Sequence, residues 1–154
     1  MRPWRPLVVG VGCILAACLG GCVNHPVGPA RTFDDFEGKA VTTAESARSA
    51  VETVRLLATI SDEGRGFASY DAVSVSEQED TLGGVRGTFA SIQPPDDRSV
   101  EVRNELMPLL DNAFDGVGDV RIELRRGHTA GLADPDPSLD EVAAALDAFI
   151  EEHS

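Results

Sequence analysis

Several residue types are nearly missing from the 154-residue sequence: it has one lysine, one tryptophan, one tyrosine and three cysteines. Cys13 and Cys18 lie inside the first apolar run, so residues 22–154 keep only Cys22. One cysteine supports neither an intramolecular disulfide nor a thiolate metal cluster. The three histidines, His25, His128 and His153, are far apart in the chain. There is no His-Glu zinc motif and no Glu-x-x-His pair of the di-iron bundles. A Gly-x-Ser-x-Gly elbow and a phosphate-cradling glycine loop are also missing. These absences predict a protein that is not an enzyme and carries no cofactor or metal. Positive charge is scarce as well, with 11 basic against 26 acidic residues over positions 22–154, a formal charge of −15. Such a body excludes unaided nucleic-acid binding and adsorption to anionic lipid through a basic face.

No apolar run is long enough to span a bilayer. The longest, Leu7 to Gly21, has 15 residues, against the ~20 that a spanning helix needs. With Arg2 and Arg5 before it, the run reads as a signal peptide rather than a permanent anchor. It ends Leu19-Gly20-Gly21-Cys22, an aliphatic residue, two small ones and a cysteine. This resembles a bacterial lipobox, and residues 1–21 resemble a lipoprotein signal peptide. The resemblance implies diacylglyceryl attachment to Cys22 and cleavage before it. It further implies residence on the outer, extracytoplasmic face of the cell membrane, held there by lipid. An ordinary signal peptide with a chance cysteine is the alternative. Two acyl chains, at ~0.8 kcal/mol per buried methylene, make a durable anchor where one would not.

Residues 22–41 read as a linker. Pro26, Gly28 and Pro29 break any periodicity, and Phe33 and Phe36 staple the tether onto the domain. His25, alone in this segment, reads as solvated. The domain itself is expected over residues 42–154, enough for one hydrophobic core and too little for two.

From Thr42 the spacing is helical. Thr42 and Glu45 match a capping box, and Ala44, Ala47, Val51, Val54, Ala58 and Ser61 recur at steps of three and four. Gly64 and Gly66 end this first helix near residue 62. A second helix ends at Pro94-Pro95. One start, at Phe67, places Phe67, Tyr70, Ser74, Gln78, Thr81, Leu82, Val85, Phe89 and Ile92 on one face. The other, at Ser76, uses Ser76 and Glu79 as a capping box; the longer helix is preferred. A third runs from Asp96-Asp97 to Arg126 on Val102, Leu106, Leu109, Ala113, Val117, Val120 and Leu124, with Pro108 expected to kink it. A fourth is capped by Ser138 and Glu141 and carries Leu139, Val142, Ala143, Leu146, Phe149 and Ile150. No stretch carries strand alternation. The fold class is therefore all-α, an antiparallel four-helix bundle behind a lipidated tether. A three-helix arrangement with the first helix packed loosely is the runner-up.

Two groups of polar residues stand out as candidate sites. Asp111, Asp115, Asp119 and Glu123 repeat every four residues, with Glu101 and Glu105 on the same flank. Like charges at that spacing cost ~0.2–0.5 kcal/mol per pair, so the flank is either a plain solvated face or a docking surface for a basic partner. Ser74, Gln78 and Thr81 interrupt an apolar stripe. They are either exposed by a local irregularity or line a polar ligand pocket, since buried polar groups need partners. His128, behind Arg125 and Arg126, reads as a charge at a helix C-terminus. The segment from Asp134 to Glu141 suggests a calcium loop, but Leu139 and Ala145 stand where that pattern needs Gly and Glu.

The chain as a whole is similar to the small lipoproteins of high-GC Gram-positive bacteria. The expected function is that of a non-catalytic extracytoplasmic lipoprotein that binds or supports another envelope protein. The alternative is a small-ligand-binding or sensory accessory bundle.

Overall fold

A computed structural model describes residues 28–129, 131–132 and 138–154. Residues 1–21, Cys22 and the first part of the linker, with the expectations placed on them, lie outside the described residues. Four helices follow one another: α1 (Phe33–Asp62), α2 (Ala68–Ser91), α3 (Asp97–Arg125) and α4 (Leu139–His153). No strand occurs among the described residues, and no helix among them is long and apolar enough to cross a membrane.

Helix α1 corrects the sequence reading, because it begins at Phe33 rather than at Thr42. Thr32 caps it, its hydroxyl accepting from the Asp35 N–H at 3.2 Å. Asp34 and Asp35 sit in the first turn, where the exposed N–H groups favour negative charge. The Thr42 hydroxyl instead donates to the Gly38 carbonyl one turn back, so the Thr42–Glu45 box lies in mid-helix. The segment 33–41, expected in the linker, forms more than two turns of helix because Phe36 and Ala40 are fully buried. Gly64, at φ +68° just past the helix end, supplies the left-handed turn there.

The other ends agree more closely with expectation. Asp96 caps α3, accepting from the Ser99 N–H at 2.9 Å and from its hydroxyl at 2.7 Å. These bonds, the hydroxyl first, hold the Asp96 carboxyl below its ordinary range. Ser138 caps α4 through the Glu141 N–H. Helix α2 has no side-chain cap: Phe67 precedes it and supplies only backbone. The start at Ser76 is overturned, and Glu79 pairs with Arg121 of α3 instead.

Packing makes α1 and α3 the spine. Each touches the other and both remaining helices, whereas α2 and α4 do not touch. Alanines at 40, 44, 47, 50 and 58 on α1 are all buried; small side chains let neighbouring helices approach closely. This overturns the runner-up arrangement, in which the first helix is loose. Residue pairs fix the helix directions. Along α1, Glu37, Arg48 and Arg55 meet His153, Asp147 and Asp140 of α4, which is descending order. Between α2 and α3, Glu79 meets Arg121 and Arg86 meets Asp111, again in opposite order. The centre is filled by Phe36, Phe89, Leu82, Leu106, Leu110 and Leu146, each at most 1 % exposed. Phe36 and Phe89 meet with ring centroids 5.4 Å apart. On α3 Leu110 is fully buried, whereas Leu109, placed on the stripe by spacing, is half-buried beside it.

Candidate functional site

The acidic flank of α3 is partly engaged by arginines of the same chain. Asp111 pairs with Arg86 of α2. Glu123 binds Arg126 at 2.6 Å and His128 Nδ1 at 2.6 Å. The His128 hydrogen bond, then that of Arg126, holds the Glu123 carboxyl below its ordinary range. Glu105 reaches His153. Asp115 and Asp119 are exposed and make no ion pair among the described residues. The four residues named from the sequence therefore divide into two engaged and two open carboxylates.

Ser74, Gln78 and Thr81 do not converge in the interior. Thr81 is exposed and its hydroxyl donates to the Glu77 carbonyl, while Ser74 and Gln78 are half-buried. The face that α2 buries carries Asp71, Val75, Leu82, Val85 and Phe89. Phe67 and Tyr70, expected on the buried face, are 79 % and 68 % exposed. The correction has a physical cause. Asp71 turns inward to accept from the buried Ser61 hydroxyl at 2.7 Å. Gly66 closes over this pair: a Cβ there would lie 2.2 Å from Asp71 Oδ2 and 2.6 Å from Ser61 Oγ. With Asp71 inside, Tyr70 on the preceding position must point away.

That rotation creates an outward stripe which spacing alone did not reveal. Phe67, Tyr70 and Val73, the last 58 % exposed, stand at the end of the bundle opposite Phe33. Beside them a shallow groove of about 200 Å³ is lined by Ala72, Val73, Ser76, Glu77, Asp80 and Arg125. A second depression, about 330 Å³, lies between α1 and α4 over Glu52, Arg55, Leu56, Thr59 and Asp140. Arg55 there is already bound to Glu52 and Asp140.

The opposite end holds a polar arrangement that the sequence reading also missed. His153 lies between two carboxylates, Nδ1 at 3.1 Å from Glu37 and Nε2 at 3.1 Å from Glu105, so it ties α4 to α1 and α3. Its ring packs on Phe149 at 4.3 Å between centroids. Nearby, the Arg98 guanidinium covers the Phe33 ring at 3.6 Å, and Arg103 donates to the Ile92 carbonyl. No group of three or more potential metal ligands converges among the described residues. Ser61 and Asp71, both buried, pack against each other under Gly66 and join the end of α1 to the start of α2. No protein-family model matches the chain, and no curated protein and no solved structure matches it either.

Proposed function

We propose that this chain is a non-catalytic, lipid-anchored protein of the extracytoplasmic face of the cell membrane that binds or supports another envelope protein. The observation that carries the reading is the grouping of Phe67, Tyr70 and Val73 in solvent, over a bundle whose centre is already filled with apolar side chains. Large apolar side chains clustered on the surface of a small domain mark interaction sites. The anchor and the location rest on Arg2, Arg5, the 15-residue apolar run and Leu19-Gly20-Gly21-Cys22. The formal charge of −15 over residues 22–154 gives the molecule a negative field, which steers a basic partner toward it.

Crosslinking on intact membranes that carry the full chain tests the reading. The expected result is a discrete crosslinked protein, together with a diacylglyceryl adduct on an N-terminal Cys22 by mass measurement. Cys22→Ala should accumulate as unprocessed precursor or leave the membrane. An unmodified chain with a different N-terminus overturns the anchor, and the absence of any crosslinked protein overturns the binding role.

A further inference from the structure

We infer that the outer face of the N-terminal half of α2 is the docking surface, and that its occupant is a basic amphipathic segment of a partner protein. The inference rests on the binding role proposed above and names its surface and partner chemistry. At ~100° per residue, Tyr70, Val73, Glu77 and Asp80 fall within one arc of about 80°, and Phe67 extends it just before the helix. The same surface is thus apolar at the start of α2 and acidic one to two turns later. The inward face is spent on Asp71, Val75 and Leu82, and α4 makes no contact with α2, so no described helix covers the stripe.

Charge selects the occupant. Glu77 and Asp80 form no ion pair among the described residues, whereas Glu79 and Asp111 on the neighbouring seam are held by Arg121 and Arg86. Arg125, on the last turn of α3, also lines the groove but forms no ion pair with Glu77 or Asp80 among the described residues, so both carboxylates are open to the cationic groups of a partner. A second copy of the chain would bring its own charge of −15 over residues 22–154. The long-range field therefore opposes self-association and favours a basic partner. A segment with apolar side chains at helical spacing followed by Lys or Arg matches both halves of the stripe.

Tyr70 is the only tyrosine in the chain and Trp4 the only tryptophan. In the full chain carrying Trp4→Phe, held in non-ionic detergent micelles, Tyr70 emission therefore reports on this surface alone. The probe is a synthetic peptide of leucine and lysine at helical spacing, free of tyrosine and tryptophan; the control is its leucine–glutamate counterpart. We expect a saturable change in Tyr70 emission with the lysine peptide only. Its midpoint should weaken about tenfold, ~1.4 kcal/mol, in Glu77→Gln/Asp80→Asn and likewise in Phe67→Ser/Val73→Ser. It should stay within about twofold in Asp115→Asn/Asp119→Asn, which removes the same charge from α3. Variants are compared once their circular dichroism matches the parent. Equal weakening by the α3 pair, equal binding of the glutamate peptide, or no binding overturns the inference. So does a Tyr70 change that follows protein concentration without peptide, which would make a second copy the occupant. On membranes, a crosslinked partner retained by Phe67→Ser/Val73→Ser overturns this surface while leaving the binding role intact. A parent chain that crosslinks to nothing overturns the binding role itself.

Discussion

Replacing His153 with Gln removes a group that joins three helices, and the loss depends on pH. The ring is 11 % exposed and faces Glu37, 28 % exposed, and Glu105, 55 % exposed. Doubly protonated, it donates from both nitrogens; neutral, it has one N–H and leaves a lone pair facing a carboxylate oxygen. Burial pulls its pKa down. The hydrogen bonds and charges of Glu37 and Glu105 pull it up more strongly, so the net value lies above the ordinary 6.5. A histidine whose pKa is raised on folding contributes stability in full below the unfolded value, near 6.5, and loses it as pH rises through the folded pKa. The half-buried Glu37 bond adds about 1 kcal/mol and the exposed Glu105 bond a few tenths to 1. His153→Gln should therefore cost about 1–2 kcal/mol at low pH, a Tm drop of roughly 3–10 °C for a domain of this size. The assay is thermal unfolding of parent and variant by circular dichroism, from about pH 5 to about pH 9. The gap between them should be widest below pH 6.5 and narrow above it, because other titrations are common to both chains. A gap that is constant, or that widens with rising pH, refutes the reasoning.

Leu106→Ala and Leu146→Ala, both at fully buried positions, should each cost about 2–5 kcal/mol in denaturant unfolding. Ser61→Ala should cost about 1–3 kcal/mol, because the buried Asp71 carboxylate loses its hydroxyl donor; a neutral outcome would show the pair to be idle. Thr32→Ala should cost about 1 kcal/mol and speed amide exchange in the first turns of α1, with no change in the rest of the bundle. Asp115→Asn/Asp119→Asn should be neutral or slightly stabilising, because like charges four apart repel by a few tenths of a kcal/mol. Asp111→Asn should instead destabilise, since it abandons Arg86.

Where a helix buries a continuous stripe, spacing located it: Val102, Leu106, Val117 and Leu124 on α3, and Leu139, Val142 and Leu146 on α4, are buried as their periodicity requires. Caps were legible for Asp96 and Ser138, where a turn or a proline separates one helix from the next. Thr32-Phe33-Asp34-Asp35 carries the same kind of cap signal, but Pro26, Gly28 and Pro29 just before it argued for a linker. What outweighed them was tertiary: Phe36 finds Phe89 in another helix. The outward stripe of α2 was hidden for a related reason. Periodicity counts apolar residues as buried, and here an aspartate takes the inward position because Ser61, ten residues earlier, satisfies it. The acidic flank was legible as a pattern, but its arginine partners on α2 and past the end of α3 depend on packing that no spacing along α3 encodes.

The spine of α1 and α3 also sets how the molecule can open. Because α2 and α4 share no contact, detaching α4 uncovers apolar surface on the spine while the seams between α2 and its two neighbours stay closed. Helix α4 is the shortest element, 15 residues. Partial unfolding proceeds through units whose boundaries follow such seams, and a departure of α4 has to break its pairs with Glu37, Arg48 and Arg55 of α1 and with Glu105 of α3, but none with α2. The outer face of α2, on the far side of the spine from α4, keeps its supporting seams in such an opening.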